Sequence, residues 1–581
     1  MGVGVAPLEA AGHGNREAQF PGETSEIGEI DELSEIGMTS EPTGTRAYLE
    51  IPDELNIASY VVDRHVEEGR GARVAAWAEG RAYTFADLRT LTNRFANALA
   101  ALGVGPGDHV MLRLGTSLQT LIAFLGTIKT GAIPAPTSFL FRDHEVEKIL
   151  LNSDAVAAVS TPEMVGPIDA VRARTPMLRH VILAGADAPT EAAPPAPTQA
   201  PAIDGKRTLS WERLMAGASD DFAPARTHRD QSAFIIYTSG TTGDPKGVQQ
   251  AHRWLIGAGD PYNREMVRMS ADDICYQPQD WSFMYPLGSG CLYPLMAGAG
   301  IVVPHGRFTP EAAFEAIERH RVTILAAVPT IYRMMLAQPD AERRYRLNSL
   351  RACVSAGEAL PADTFNEFRR RFGVTIYDGI GQTETHIFIG NRIGMEIRPG
   401  SMGQPLRGYE AAILDDEGRE RKRGEPGQLV LRNDHPALTI GYRKAAARWA
   451  AVNRGGWYYT QDIAYVDADG YFWYVSRADD LIKSRAYLVS PKEVESALLE
   501  HPAVLEAAVV GIPDPQIGAA VKGFLALRAG YAASEALAEE IRNHVRAVIA
   551  PYKVPQRIEF MPELPKTANG KILRRALRDR G

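Results

Sequence analysis

The sequence predicts an α/β protein: a large N-terminal region of αβ layers with a small β-rich part, followed by a smaller region that again mixes helix and strand. Three observations carry this prediction. Short apolar strands alternate with amphipathic helical segments over most of the chain, the pattern of a parallel sheet covered by helices. Residues 401–475 instead carry short strands separated by Gly and Asp turns. At 581 residues the chain exceeds one compact core and suits a large domain with others.

Residues 1–45 are rich in Gly, Glu, Ser and Thr, include the acidic tract Glu26–Leu33, and are read as a disordered extension in which Met38 is an alternative start. From about Leu55 the pattern becomes globular. Tyr83-Thr84-Phe85-Ala86-Asp87-Leu88 opens an amphipathic helix with Thr84 as its candidate N-cap. Val110–Leu114 reads as a strand and Leu118–Lys129 as a helix. The Ala/Pro-rich stretch 185–205 is a surface loop rather than a core element. A second α/β region runs to about residue 400.

The composition, 45% hydrophobic and 23% charged, is that of a soluble globular protein. A net charge of −8 argues against a dedicated nucleic-acid binder without excluding a nucleotide substrate. Cys275, Cys291 and Cys353 are odd in number and widely spaced, which fits a reducing cytoplasm and no disulfide framework or zinc site. No apolar run is long enough to span a membrane, no signal peptide is expected, and Ala6 breaks the myristoylation pattern that Met1-Gly2 begins.

One segment is chemically distinctive. The apolar, β-branched run Ser232–Tyr237 is followed by Thr238, Ser239, Gly240, Thr241, Thr242, Gly243, Asp244, Pro245, Lys246 and Gly247. Glycines let the backbone approach a ligand, and free N–H groups, hydroxyls and one ammonium make a phosphate cradle. The register is not that of a Walker A loop, because Pro245 precedes and Gly247 follows Lys246. Four further clusters follow: Ala356-Gly357-Glu358-Ala359; Tyr377-Asp378-Gly379-Ile380-Gly381-Gln382-Thr383-Glu384; Trp457–Asp462 with Arg477–Lys483; and Pro565-Lys566-Thr567-Ala568-Asn569-Gly570-Lys571. Taken singly each has a bland reading: Asp462 as a turn cap, Arg477 and Asp479 as a surface ion pair, Lys571 as a solvated lysine.

In this order, the five clusters resemble the adenylate-forming superfamily of acyl-CoA synthetases, stand-alone adenylation domains and luciferases, over residues 50–581. The resemblance implies a large AMP-binding domain, 46–478, and a mobile C-terminal lid domain, 479–581, hinged at Asp479. Its chemistry is activation of a carboxylate: attack on the α-phosphate of ATP gives an acyl-adenylate, and positive charge and preorganised donors offset the repulsion of the two anions. By resemblance the Thr238–Lys246 loop holds the β- and γ-phosphates, Thr383 touches the α-phosphate, and Glu384 helps bind magnesium. Gly357, Glu358, Ala359, Asp378, Gly379 and Ile380 form the adenine pocket, Asp462 takes the ribose hydroxyls with Arg477 assisting, and Lys571 bridges the α-phosphate and the acid. After adenylation the small domain rotates and coenzyme A attacks the acyl-adenylate.

Within the superfamily, Asn56–Arg64, Asp378–Gly381, Thr385–Asn391 and Pro399–Glu410 resemble benzoate–CoA ligase-like enzymes, implying an aromatic, cyclic or short-to-medium-chain acid. The acid pocket then falls on Trp281, Met284, Tyr285 and His386, with Met284 where those ligases usually carry alanine. Trp281 and Met284 read either as core packing or as substrate contacts, and His386 as a structural histidine or a pocket wall. Lys483 and Ala486 fall on the expected CoA tunnel, Ala486 replacing the usual glycine, and Gln461 replaces a common glycine before Asp462. The alternatives are a stand-alone enzyme that loads a separate carrier protein and an inactive adenylate-binding sensor. Neither nucleic acid nor a membrane span is expected.

Overall fold

The computed structural model describes residues 50–185, 207–238, 246–304, 306–484, 487–514, 518–566 and 572–580. The expected disorder of 1–45, the alternative start at Met38 and residues 186–205 of the Ala/Pro-rich stretch lie outside them.

The first αβ layer is a five-stranded, all-parallel sheet ordered Ile133–Pro136, His109–Arg113, Ala157–Ser160, His180–Leu183, Arg207–Ser210. Successive side chains of a strand face opposite sides, and His109–Arg113 demonstrates it. Val110 and Leu112 pack with Phe95 and Leu121 of the helices Phe85–Ala101 and Leu118–Lys129, whereas Met111 packs with Val146 and Ile149 of Asp143–Ser153. Both faces are covered, so the strand is apolar along its whole length. The helix predicted after Thr84 forms with a full capping box: Thr84 Oγ1 accepts from the Asp87 N–H at 3.1 Å and Asp87 Oδ2 accepts from the Thr84 N–H at 2.8 Å.

The second layer is a nine-stranded sheet whose interior is parallel and whose ends, Arg81–Thr84 on one side and His386–Gly390 with Gln404–Pro405 on the other, pair antiparallel. Here again Ile324 and Ala326 face one core while Leu325 and Ala327 face another with Phe314 and Ile331. Beside the edge strand Ile133–Pro136 of the first layer, Ser232–Thr238 pairs antiparallel with Lys246–Ala251, with Thr238 opposite Lys246. Of the predicted cradle Thr238–Lys246, the two ends are thus paired strand residues.

The β-rich part is an antiparallel sheet of Ala411–Leu414, Gly427–Arg432, Trp457–Val466, Asn453–Arg454 and Phe472–Arg477; of the expected stretch 401–475, Gln404–Pro405 instead joins the nine-stranded sheet and Gly441–Tyr442 pairs with Lys246–Ala251. Beyond it, Val504–Asp514, Gly518–Leu527 and Arg557–Phe560 make a three-stranded sheet packed with helices Pro491–Leu499 and Glu535–Val548. Its hydrophobic clusters draw only on residues between Ile482 and Leu577. The three cysteines are buried and unbridged.

Candidate active site

Open α/β sheets bind ligands beyond the carboxyl ends of their strands. A cavity of about 630 Å³ lies there, reached by both the N-terminal layers and the C-terminal region. Its lining includes Thr238, Lys246, Gly357, Glu358, Ala359, Asp378, Gly379, Ile380, Thr383, Glu384, Asp462 and Arg477, so four clusters far apart in the sequence converge on one space.

At one end, Lys246 Nζ donates to Glu384 Oε1 at 2.6 Å and Tyr442 OH donates to the same oxygen at 2.7 Å. Burial pushes the Glu384 carboxyl up, but the charge of Lys246 and the hydrogen bonds of Lys246 and Tyr442 outweigh it and hold the carboxyl below its ordinary value. Thr383 is fixed through its carbonyl, which accepts from Gln250 Nε2 at 2.7 Å.

At the other end, Asp462 and Arg477 are direct cross-strand partners, with Arg477 Nη1 donating to Asp462 Oδ1 at 2.9 Å. The period of the strand puts Tyr458, Thr460 and Asp462 on one buried face. Gln382 ties that face together: its Nε2 donates to Asp462 Oδ2 at 2.6 Å and to the Thr460 carbonyl at 2.7 Å, and its Oε1 accepts from Tyr458 OH at 2.6 Å. Burial lowers the affinity of Arg477 for its proton, but Asp462 more than restores it. Gln461, between the buried residues, stands at φ 66°.

Along the wall between these ends, Gly357–Ala359 follow directly on the strand Ala352–Ser355, and Gly357 takes φ 90°, a conformation open to glycine. Glu358 Oε2 accepts from Thr330 Oγ1 at 2.9 Å. Burial raises the Asp378 carboxyl to about 7, outweighing the smaller opposing pull of the polar groups around it, and its Oδ1 finds no partner among the described residues.

The four acid-pocket candidates do not line this cavity. Trp281, Met284 and His386 are between 1% and 4% exposed; Trp281 and Met284 belong to the main core, the His386 ring packs on Tyr293 of that core at 4.7 Å, and Tyr285 turns its hydroxyl to the Val354 carbonyl at 3.0 Å. The structure brings Tyr285 and His386 together, the His386 Nε2 lying 3.4 Å from the Tyr285 carbonyl oxygen. His386 stands at φ 70°, and burial pushes its imidazole down to about 3. Gly381, which does line the cavity, separates it from this wall: a Cβ there would collide with the His386 carbonyl oxygen.

Ser239, Gly240, Thr241, Thr242, Gly243, Ala486 and Lys571 lie outside the described residues. The backbone of Asp479 belongs to the turn Ala478–Asp480 and that of Lys483 to the strand Ile482–Ser484. Lys566 and Ile572, which flank the undescribed stretch containing Lys571, both line the cavity, as do Lys492 and Arg574. Sequence reasoning assigns no role to Gln382, Tyr442, Tyr458 or Lys492. Gln382 and Tyr458 stand inside the sequence clusters, where an amide between Gly381 and Thr383 is the available signal; Tyr442 and Lys492 carry none.

The pattern of AMP-binding enzymes matches residues 62–443, and that of the AMP-binding enzyme C-terminal domain matches residues 493–571. Benzoate–CoA ligase of Thauera aromatica is 37% identical over 539 residues, 92% of this chain and 98% of that protein. An anthranilate CoA ligase solved with anthranoyl-AMP superposes with a TM-score of 0.83 at 34% identity, covering 91% of this chain and 98% of the other. A benzoate CoA ligase from Burkholderia xenovorans LB400 gives 0.79 at 32% identity, covering 90% and 99%. With both family patterns matched in order and the cavity between them lined by the residues of that resemblance, the chain belongs to the adenylate-forming family of AMP-binding enzymes, among the acid–CoA ligases that resemble benzoate–CoA ligase.

Proposed function

We propose that the protein is an ATP-dependent carboxylic acid–CoA ligase acting in the cytoplasm, converting acid, ATP and CoA to acyl-CoA, AMP and diphosphate through an acyl-adenylate. The acid is aromatic and benzoate-like, cyclic, or of short to medium chain. The observation that carries this reading is the cavity with a lysine–glutamate pair at one end and an aspartate–arginine pair at the other, in a chain similar over nine-tenths of its length to a benzoate–CoA ligase.

The two ends divide the work. Asp462, fixed by Arg477 and Gln382, offers carboxylate oxygens to the two ribose hydroxyls. Glu358, Asp378 and the glycine-rich backbone beside them receive the adenine. Lys246 and the cradle before it hold the outer phosphates, and Thr383 the α-phosphate. Glu384 is a buried carboxylate of the kind magnesium uses, since that ion binds through one or two carboxylates together with substrate phosphates. When bound, the ion would neutralise phosphate charge. The acid carboxylate then attacks the α-phosphorus and diphosphate leaves, with Lys571 bridging both anions. In the second step the CoA thiol attacks the acyl carbon past Lys483 and Ala486, and AMP leaves.

The test is diphosphate release and product analysis with purified protein, ATP, CoA and a panel of benzoates, aryl-acetates, cyclic acids and fatty acids. Acyl-CoA supports the reading. Adenylate without CoA turnover supports a carrier-protein loader, and no diphosphate with any acid refutes both.

A further inference from the structure

Glu384 is 4% exposed, yet two donors reach the same oxygen of its carboxylate. One is Lys246. The other is Tyr442, whose place is set from two sides: its backbone pairs with Val248, two residues along the strand that Lys246 begins, and its ring packs edge-on against Trp449 at 5.1 Å. Lys246 Nζ in turn lies 3.4 Å from the Tyr442 hydroxyl and 4.5 Å from the centre of its ring. The three groups form one closed contact at the phosphate end of the cavity.

On the ATP reading above, Lys246 and Glu384 have separate duties, one toward phosphate and one toward a divalent cation. With their charges 2.6 Å apart they serve each other instead. A nucleotide that arrives without metal and draws Lys246 away leaves a buried carboxylate facing polyphosphate with only a phenol beside it. Breaking a buried ion pair by removing one partner is strongly unfavourable, because the remaining charge is uncompensated. A nucleotide that arrives with its cation supplies the missing charge as Lys246 departs.

We propose that the Lys246–Glu384 pair makes nucleotide admission metal-dependent at the binding step: the cation takes the place of Lys246 at Glu384, and Tyr442 is the positioning residue that holds Glu384 through the exchange. This rests on the ATP-dependent reading of the site. It assigns Lys246 a cost as well as a benefit, since the lysine is available to phosphate only when something else satisfies the glutamate.

The experiment is calorimetric binding of ATP to the full chain, in magnesium and in EDTA, for the wild type, Lys246→Met, Glu384→Gln, the double variant and Tyr442→Phe. The wild type binds ATP tighter with magnesium. Glu384→Gln removes that preference and tightens metal-free binding by about tenfold, the size of coupling between contacting residues. Lys246→Met costs metal-free binding little in the wild-type background but about tenfold in the Glu384→Gln background, where the lysine is already free. Tyr442→Phe, which loses a hydrogen bond to an ionised carboxylate, weakens magnesium–ATP binding by at least about tenfold, leaves metal-free binding unchanged, and lowers the melting temperature because the free protein loses the same bond. Equal costs of Lys246→Met in both backgrounds overturn the proposal, as does a Tyr442→Phe effect that is the same with and without metal. If the wild type binds no ATP in either condition, the ATP reading falls and this inference with it.

Discussion

Truncating Gln382 to alanine removes three hydrogen bonds at once, and the structure separates their consequences. The bond to Asp462 Oδ2, at 2.6 Å, is to an ionised carboxylate, a class worth about 1.5–3 kcal/mol. The bonds with the Thr460 carbonyl and the Tyr458 hydroxyl join uncharged groups and contribute about 1 kcal/mol each. Only the first fixes a group proposed above to hold the nucleotide, and Arg477 still holds the other oxygen of Asp462. The loss in ATP affinity is therefore bounded by that one bond, about 10- to 150-fold, with KM for the acid unchanged. The fold loses stability from all three, since Tyr458 is buried and its hydroxyl would be left with less to donate to. Gln382→Met, which keeps the shape without the amide, recovers the packing and not the affinity. Calorimetric ATP binding beside urea unfolding of both variants measures the two effects. The reasoning fails if Gln382→Met binds ATP as tightly as the wild type, or if Gln382→Ala weakens acid and ATP equally.

Three shorter predictions rest on other groups. Burial raises the Asp378 carboxyl to about 7, above its unfolded value of about 3.9, so the folded protein binds the extra proton between those values. Stability is then highest below the lower value, falls on the order of 1–4 kcal/mol as pH rises toward 7, and levels off above it; Asp378→Asn flattens this fall in urea melts at pH 5 and 8, and identical slopes in the two proteins contradict it. At Gln461, held at φ 66°, Gly leaves stability unchanged or raises it by up to about 1 kcal/mol, because relief of strain offsets the added freedom of the unfolded chain, whereas Val lowers it by more; equal melting shifts for the two would show that the backbone there is unstrained. Met284→Ala opens space in the wall beside Trp281 and Tyr285, costing about 2–5 kcal/mol of stability and raising kcat/KM for ring-substituted benzoates about tenfold. A loss of stability with unchanged acid preference would assign Met284 to the core alone.

Sequence reasoning reaches the cavity because its residues lie in short runs whose composition is unusual for the elements that carry them. Thr238 and Lys246, the two ends of the polar, glycine-rich run after Ser232–Tyr237, and the Gly381–Glu384 cluster are examples. It cannot reach the partners. Tyr442 meets Glu384 across 58 positions and Tyr458 meets Gln382 across 76, contacts set by strand pairing between distant segments rather than by any local signal. Arg477 pairs with buried Asp462, because the two, fifteen residues apart in the chain, share a register position across neighbouring strands. The acid pocket is the least legible. Trp281 and Met284 are apolar in an apolar neighbourhood, and their composition is the same whether they line a substrate or fill a core.

The strand Phe472–Arg477 ends on the residue that grips Asp462, so its last position is tied to the antiparallel sheet of the β-rich part. Three residues later, the Asp480 carboxylate is held by Arg578, with Arg574 at 4.0 Å, both from the final helix Arg574–Arg578. Arg477 is thus moored to one body and Asp480 to the other. Only Ala478 and Asp479 separate the two moorings, so the bodies are joined by a link of two residues pinned by ion pairs at both ends. We propose that a turn of the small domain about Asp479, as the resemblance implies, would fall on these few backbone torsions, and that a nucleotide held at Asp462 would stiffen the link.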